Sequence, residues 1–262
     1  MDAIPPAANE PSRVSSNGVP PAALAAPAVA RLLHQSCQIY GQQFRVILAV
    51  VMIVWTPLEL LRSYMDALEF KEEPFRSLKF ALFLINFVGI VATAGVICIT
   101  HEALRGRPIT AVDALGIGCC SWGRLLWTSV LAGVALMGGL ILLVAPAMYL
   151  LVRCALLGPV AVIERVAGTT ALHRSFALTR FHFWLLSRLV LLLLGGSVLV
   201  VGCLVLGQHF IPGLDHWLAD AILNLISDVV CAFGAVLMTV TYDQLSREPV
   251  ATPPPSDEYE YD

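Results

Sequence analysis

Apolar residues are gathered into six long runs along this chain, and shorter segments between the runs hold most of the charged residues. The hydrocarbon core of a bilayer is about 30 Å thick, and about 20 apolar residues of α-helix cross it. We therefore predict an all-α, polytopic membrane bundle with six transmembrane helices. The predicted spans are Phe44–Leu61, Leu78–Thr100, Leu125–Val144, Ala147–Val162, Phe183–Leu206 and Ala221–Thr241.

Prolines indicate where the predicted helices turn or bend. The third and fourth spans are separated only by Ala145 and Pro146, and proline lacks the N–H that would continue the helix. A tight turn is expected there. Pro57 and Pro159 lie inside predicted helices, so we expect a kink at each. The six spans would then form three helical hairpins.

A short helix is predicted before each odd-numbered span. The first, Ala28–Gln43, has an apolar stripe opposite a polar face, which is typical of a helix that lies in the membrane interface. The second, Ala111–Gly123, has Thr110 as its candidate N-cap. The third is Thr170–His182. The sequence of short interfacial helix, span and return span therefore occurs three times, which predicts an internal repeat.

The repeat and the composition of the two ends predict the domain organisation. The ends are rich in proline and lack long apolar runs, and such segments cannot bury enough apolar surface to fold alone. The predicted parts are a disordered Pro/Ala-rich arm at 1–27, a six-span membrane domain at 28–245 with repeats at 28–100, 110–164 and 168–245, and an acidic Pro-rich tail at 246–262.

Charge distribution predicts the orientation in the membrane. The composition is 58% hydrophobic and 13% charged, against the quarter of charged residues usual in soluble domains, and the net charge of −3 gives no general attraction to nucleic acid. If both termini share one side, eleven arginines lie on that side and four basic residues lie opposite. Because basic residues favour the cytoplasmic side, both termini are predicted to be cytoplasmic. The eleven are Arg13, Arg31, Arg45, Arg105, Arg107, Arg124, Arg165, Arg174, Arg180, Arg188 and Arg247; the four are Arg62, Lys71, Arg76 and Lys79.

Three segments resemble a known family. They read HEALRGRPITAVDAL, LLVAPAMYLLVRCALLGPVAVIE and ALHRSFALTRFHFWLL. They are similar to the bacterial membrane domain associated with glycerophosphoryl diester phosphodiesterases and to its free-standing relatives. The similarity extends from about Ala28 to Tyr242. The chain departs from the family pattern at Ala147 and Phe181, where glycine is usual. The matching positions are Pro146, Arg153, Pro159, Glu164, Ala171, Leu172, Arg174, Ser175, Leu178, Thr179, Arg180, Phe183 and Trp184.

The resemblance implies a six-span protein of the bacterial inner membrane. It does not imply phosphodiesterase activity, because in fused relatives that chemistry belongs to a separate soluble domain, for which this chain has no room. The chain also lacks a recognisable catalytic motif, cofactor-binding loop or set of metal ligands. We therefore expect a protein that is not an enzyme and that has no metal or other cofactor.

Polar side chains inside the predicted spans form the first candidate site. Charges in a bilayer are costly and often functional. Arg153 and Asp228 lie at similar predicted depth, so we expect the two side chains to be in contact. Two interpretations stay open: a polar cavity that binds an anionic group through Arg153, or a buried ion pair that only fixes helix packing. The predicted polar layer consists of Arg153, Asp228, Asn86, Asn224, Ser197 and Glu59.

Basic side chains at the predicted inner surface form the second candidate site. Near an anionic leaflet each contributes about 1 kcal/mol to headgroup binding. The alternative is that they only reflect the usual bias of basic residues toward the cytoplasm. This predicted cationic band consists of Arg165, His173, Arg174, Arg180 and His182.

These features favour a non-enzymatic integral membrane protein that organises or binds lipids or partner proteins in the bacterial inner membrane. Its expected partners are the bilayer itself, anionic phospholipid and a membrane protein, and not nucleic acid. The alternative function is a transporter or channel for a small or anionic solute, which would use the polar layer around Arg153 and Asp228.

Overall fold

The structure is a computed structural model, and it describes residues 21–68, 87–142, 144–210 and 217–247. Eight α-helices and no β-strand occur in these residues. The helices are α1 (Pro21–Leu68), α2 (Gly89–Leu104), α3 (Ala111–Leu142), α4 (Val144–Cys154), α5 (Leu157–Ile163), α6 (Gly168–Phe181), α7 (Phe183–Phe210) and α8 (Trp217–Arg247). The arm at 1–27 and the tail at 246–262 lie largely outside the described residues.

Five helical stretches among the described residues are long and apolar enough to cross a membrane. The protein is therefore a multi-pass α-helical membrane protein, as its hydrophobic pattern predicts. Helix α2 is apolar but shorter, and residues 78–86 of its predicted span lie outside the described residues. The five stretches are Ala28–Arg62, Ala111–Leu140, Pro146–Ile163, Phe183–Leu204 and Ala221–Arg247.

Two of the three predicted short helices are not separate elements. Helix α1 continues from Gln43 into Phe44, and α3 continues through Gly123. An interior glycine costs a helix only about 1 kcal/mol relative to alanine, which is too little to end one that continues on both sides. The third short helix is separate, since α6 ends at Phe181 and α7 begins at Phe183.

Pro159 interrupts its helix as expected. Helix α4 ends at Cys154 and α5 begins at Leu157, so the break falls beside Ala155. Proline has no N–H to donate to the carbonyl four residues earlier, which is that of Ala155, and its ring crowds the same carbonyl. In contrast, α1 is uninterrupted at Pro57.

Ala145 and Pro146, the expected turn between the third and fourth predicted spans, are helical. Helix α3 ends at Leu142 and α4 begins at Val144, which places Pro146 in the first turn of α4. The prediction of a turn at Ala145 and Pro146 is wrong. The missing N–H of proline costs nothing in a first helical turn, where backbone donors have no partner within the helix.

Helix α2 lies at the centre of the bundle and packs against α1, α3, α5 and α8. Its residues 94–100 are all buried, which suits a segment that is apolar on every side. Helices α1 and α8 pack closely together, and Ile47 and Leu237 belong to the same buried core.

Large apolar side chains cover the outside of the bundle. Val134 on α3 is 66% exposed and Leu199 on α7 is 67% exposed, and many others on these helices are similar. Soluble monomers rarely expose apolar patches of this extent, whereas lipid tails cover them without cost.

Candidate functional site

Arg153 binds helix α6. Its Nη1 donates a 2.8 Å hydrogen bond to the carbonyl oxygen of Phe176, and its Nη2 donates a 2.6 Å bond to the hydroxyl of Tyr149. The Ser175 hydroxyl donates in return to the Arg153 carbonyl oxygen at 2.7 Å. Arg153 therefore fastens α4 to α6. The expected contact with Asp228 does not form: Nη1 and Nη2 of Arg153 bind the Phe176 carbonyl and the Tyr149 hydroxyl instead, and its Nε is buried without a hydrogen-bond partner among the described residues.

Asp228, on α8, lies near a different pair of charges, Glu59 and Arg62 on α1. Nη1 of Arg62 lies 3.4 Å from both carboxylate oxygens of Glu59, which is only 4% exposed. Oδ2 of Asp228 is buried without a hydrogen-bond partner among the described residues. We call Glu59, Arg62 and Asp228 the acidic group, since two carboxylates face one guanidinium.

Of the remaining members of the predicted polar layer, two lie near Asp228 and one lies outside the described residues. Ser197, on α7, lies within hydrogen-bond reach of the Cys231 thiol, one turn beyond Asp228. Asn224 is half-buried one turn before Asp228. Asn86 lies outside the described residues. The structure thus brings Glu59, Ser197 and Asp228 into one region and places Arg153 elsewhere.

A cavity of about 310 Å³ lies beside Asp228. Its polar lining comes from Asp228, Thr93 and Cys231, and most of the other lining residues are apolar. Ala155, in the interruption between α4 and α5, and Pro159, in the first turn of α5, also line it. The helix break therefore faces the same space as the buried carboxyl of Asp228.

The predicted cationic band follows α6 and the connection before it. Nε of Arg174 lies 3.0 Å from Oε1 of Glu164, so its charge is already paired. The guanidinium of Arg180 lies over the Phe181 ring, 5.9 Å from the centroid, and is exposed. His173 is exposed and His182 is half-buried. The band residues share one helical segment without forming a compact cluster.

Arg165 lies in the connection between α5 and α6, at residues 164–167. Its φ of 57° places it in the left-handed region, which residues other than glycine rarely adopt. Nη1 of Arg124, on α3, donates to the Arg165 carbonyl oxygen at 3.2 Å. Gly168 follows with φ 63°, and its N–H donates to Oγ1 of Thr128 at 2.9 Å. These bonds hold the connection against α3.

A second and larger cavity, of about 900 Å³, opens beside this connection. The end of α2, the start of α3 and the end of α5 form its walls. Three arginines, Arg105, Arg124 and Arg165, contribute to it, against two carboxylates, Glu102 and Asp113. We call it the basic pocket; its lining is Cys98, His101, Glu102, Arg105, Val112, Asp113, Gly116, Ile117, Cys120, Ser121, Arg124, Val162, Ile163 and Arg165.

The two carboxylates of the basic pocket have partners of their own. Glu102 lies 4.0 Å from the guanidinium of Arg107, and Asp113 accepts a 2.6 Å hydrogen bond from the Thr110 hydroxyl at the start of α3. Oγ1 of Thr110 in turn accepts from the Asp113 N–H at 3.2 Å, so Thr110 caps α3 as predicted.

His101, one residue beyond the predicted second span, also lines the pocket. Burial lowers its pKa, and the nearby cation of Arg105 lowers it further, so the imidazole is neutral at pH 7. The three arginines are therefore the cationic groups of the pocket lining.

The sequence did not single out Arg105 or Arg124 as site residues. In the sequence both residues only support the predicted orientation in the membrane, since nothing in the local pattern indicates that their segments contact Arg165. The available signal was the recurrence of arginine at the ends of segments predicted to share one side of the membrane.

Comparisons with protein-family models, with curated proteins and with solved structures find no match to this chain. Among the residues that the structure describes, no three histidine, cysteine, aspartate or glutamate side chains are grouped to hold a metal ion. The class defined by fold and site is that of a multi-pass helical membrane protein with a basic pocket at one end of its bundle.

Proposed function

We propose that this chain is a non-enzymatic protein of the bacterial inner membrane that binds and organises anionic phospholipids. The basic pocket is the observation that carries the proposal. It gathers Arg105, Arg124 and Arg165 at one end of a bundle whose outer surface is strongly apolar. A phospholipid has the matching form, with an anionic headgroup joined to apolar chains, and basic residues near an anionic leaflet each favour binding by about 1 kcal/mol.

The proposal includes the finer topology: six spans in three hairpins, with α2 as part of the second span and both termini cytoplasmic. Its support is that the connections at 105–110 and 164–167 both border the basic pocket. Each connection carries arginine, as cytoplasmic loops commonly do. A fluorescent protein that folds only in the cytoplasm, fused after Asp262, tests this topology. Fluorescent cells agree with it, and a dark but fully expressed fusion contradicts it.

The lipid-binding proposal is tested by native mass spectrometry of the full chain, purified in neutral detergent and exposed to defined lipids. We expect retained phosphatidylglycerol or phosphatidic acid at concentrations where phosphatidylcholine is lost. Equal retention of anionic and zwitterionic lipids would contradict an anion-dependent function.

Transport of a small solute is the second candidate, and the cavity beside Asp228 favours it. Transporters commonly build substrate sites where a spanning helix is interrupted, and ionisable residues inside spans often line ion paths. The site would use Asp228 and not Arg153, whose guanidinium is bound to α6. Proteoliposomes containing the wild type or Asp228→Asn provide the test. A cation flux that needs Asp228 would support transport, and no flux above protein-free vesicles would oppose it.

A further inference from the structure

We propose that the basic pocket is a specific site for one phosphate group, supplied by the headgroup of an anionic phospholipid. This inference rests on the proposed lipid-binding function and narrows it to a place and a chemistry. Arg165 belongs to both the basic pocket and the predicted cationic band, but Arg180, on α6, does not line the pocket, so the two can be separated by mutation.

The first step of the argument is that the guanidinium of Arg124 is held in place before any ligand arrives. Its Nη1 donates to the Arg165 carbonyl oxygen and its Nη2 donates to Oγ of Ser121, both at 3.2 Å. A fixed guanidinium loses less conformational freedom on binding an oxyanion than a mobile one does. Arg124 therefore gives the pocket a positioned positive charge.

The second step concerns the two arginines at the exposed part of the pocket. Within the described part of the chain, the guanidinium groups of Arg105 and Arg165 form no ion pair or hydrogen bond, although both side chains belong to the pocket lining. Both can therefore turn toward a ligand without breaking an existing interaction. Arginine favours phosphate because its planar fork can donate two parallel hydrogen bonds to one oxyanion.

The third step is the backbone of Arg165. A left-handed residue other than glycine costs on the order of 1–3 kcal/mol, and such strain is concentrated at functional sites. Here the Arg124 hydrogen bond helps to hold the strained conformation, and Arg165 lies in the wall of the basic pocket. A strained backbone at this position agrees with a binding role, in which it directs the Arg165 side chain toward a ligand.

The fourth step is the charge balance of the pocket. Its lining has three arginines and two carboxylates, and Glu102 and Asp113 are engaged with Arg107 and Thr110. The lining therefore carries one net positive charge, with Arg107 adding another cation beside Glu102. This excess suits a phosphate diester of one negative charge or a monoester of nearly two.

The fifth step distinguishes a lipid from a soluble phosphate. The cavity of about 900 Å³ is much larger than a phosphate ion, and its lining includes Val112, which is 75% exposed, and Ile117. Val112 lies on the same side of α3 as the exposed Val130 and Val134, so an exposed apolar helix surface continues from the pocket. A phosphate in the pocket could therefore keep its acyl chains on an apolar helix surface.

The test compares lipid retention by the full chain and three variants in native mass spectrometry, with phosphatidylglycerol and phosphatidic acid as probes. The pocket variants are Arg105→Gln and Arg165→Gln, which change exposed side chains and spare the Arg124 hydrogen bonds. Arg180→Gln is the matched control, since it removes an exposed arginine of the band outside the pocket. Each pocket variant should weaken retention about 5-fold, the equivalent of about 1 kcal/mol, and the control should change it much less.

The outcomes separate the failure of this site from the failure of lipid binding itself. If the wild type retains no anionic lipid, the proposed function fails. If the wild type retains it and the pocket variants retain it equally, the function stands and the pocket site is overturned. The variant Arg165→Lys keeps the charge and loses the planar fork, so it should retain more anionic lipid than Arg165→Gln does and less than the wild type. Retention by Arg165→Lys as low as that by Arg165→Gln, with a normal elution profile, would oppose a contribution of charge at this position.

A final arm identifies the source of the phosphate. Isothermal titration of the detergent-solubilised wild type with inorganic phosphate and with glycerol phosphate should give far weaker binding than the lipid. Binding of either soluble ion as tightly as the phospholipid would overturn the lipid assignment.

Discussion

The hydroxyl of Tyr242, near the end of α8, donates a 2.7 Å hydrogen bond to Oε1 of Glu164, the residue that directly follows α5. The same oxygen accepts a hydrogen bond from Nε of Arg174, on α6, at 3.0 Å. One carboxylate oxygen thus joins the end of α5 to α6, the next helix along the chain, and to α8, which is distant in sequence. This contact closes the bundle directly beside the connection that carries Arg165.

Replacing Tyr242 with phenylalanine removes one of these donors and leaves the ring. We expect the free energy of unfolding to fall by about 0.5–1.5 kcal/mol, the usual net contribution of a hydrogen bond. Thermal unfolding in a fixed detergent measures it. Arg174→Gln is the comparison: its partner is partly exposed and Arg174 itself is 47% exposed, so this ion pair should contribute no more than about 1 kcal/mol. A Tyr242→Phe protein with unchanged thermal stability would show that this hydrogen bond contributes nothing and that apolar contacts hold α8 in place.

Gly168 should tolerate alanine poorly. Its φ is 63°, where a side chain is disfavoured by about 1–2 kcal/mol, and an added Cβ would lie 3.0 Å from Nε1 of Trp127. Gly106 has a similar φ of 69° and open space around it. Gly106→Ala should therefore show the cost of the backbone alone, and Gly168→Ala a larger loss of thermal stability. Equal losses would mean that the indole ring moves aside freely.

Two glycines on α3 provide a test of how tightly it packs on α2. A Cβ at Gly118 would lie 2.8 Å from the carbonyl oxygen of Val91, whereas one at Gly116 would meet nothing within 4 Å. Gly118→Ala should destabilise the protein, because backbone would have to move. Gly116→Ala should be neutral or stabilise by up to about 1 kcal/mol through helix propensity. Destabilisation by both variants would contradict the packing described here.

The hydrophobic pattern predicted a multi-pass helical membrane protein correctly, because spanning a membrane requires long apolar runs whatever their neighbours are. The helix interruption at Pro159 could also be predicted, since the missing N–H of proline affects hydrogen bonds of its own helix. The sequence does not predict that α1 and α3 are continuous. An amphipathic segment followed by an apolar one has the same pattern whether the helix continues or is interrupted between them.

The candidate sites were harder to predict, since their partners come from distant parts of the chain. Arg153 and Asp228 were expected to pair on equal depth and opposite charge. The partners of Arg153 are a backbone carbonyl on α6 and a tyrosine hydroxyl. Every residue has a backbone carbonyl, so the sequence does not show which one accepts a hydrogen bond. The basic pocket likewise depends on α3 meeting the connection after α5, which only the packing of the bundle determines.

The strained backbone of Arg165 predicts opposite effects on stability and on binding. Glycine adopts the left-handed region without a side-chain clash. Arg165→Gly should therefore raise thermal stability slightly, on the order of 1 kcal/mol, while reducing retention of anionic lipid. Arg165→Asn is a matched variant, since asparagine tolerates this conformation and costs less unfolded-state entropy. A fall in the stability of both variants would mean that the arginine side chain contributes more to the fold than its backbone strain costs.

The acidic group makes the last prediction, which separates a structural role of Asp228 from a functional one. Oδ2 of Asp228 has no hydrogen-bond partner among the described residues, and Arg62 is the cation near both Asp228 and Glu59. Because a buried carboxylate oxygen without a hydrogen bond is costly, and Asp228 lies near a second carboxylate, that of Glu59, Asp228→Asn should stabilise the protein by about 1 kcal/mol. Arg62→Gln should do the reverse, since it removes a positive charge that lies near both carboxylates. Thermal unfolding of the two variants measures both effects. If Asp228→Asn instead destabilises the bundle, the carboxylate has a structural partner, and the cavity beside it loses its main support as a solute site.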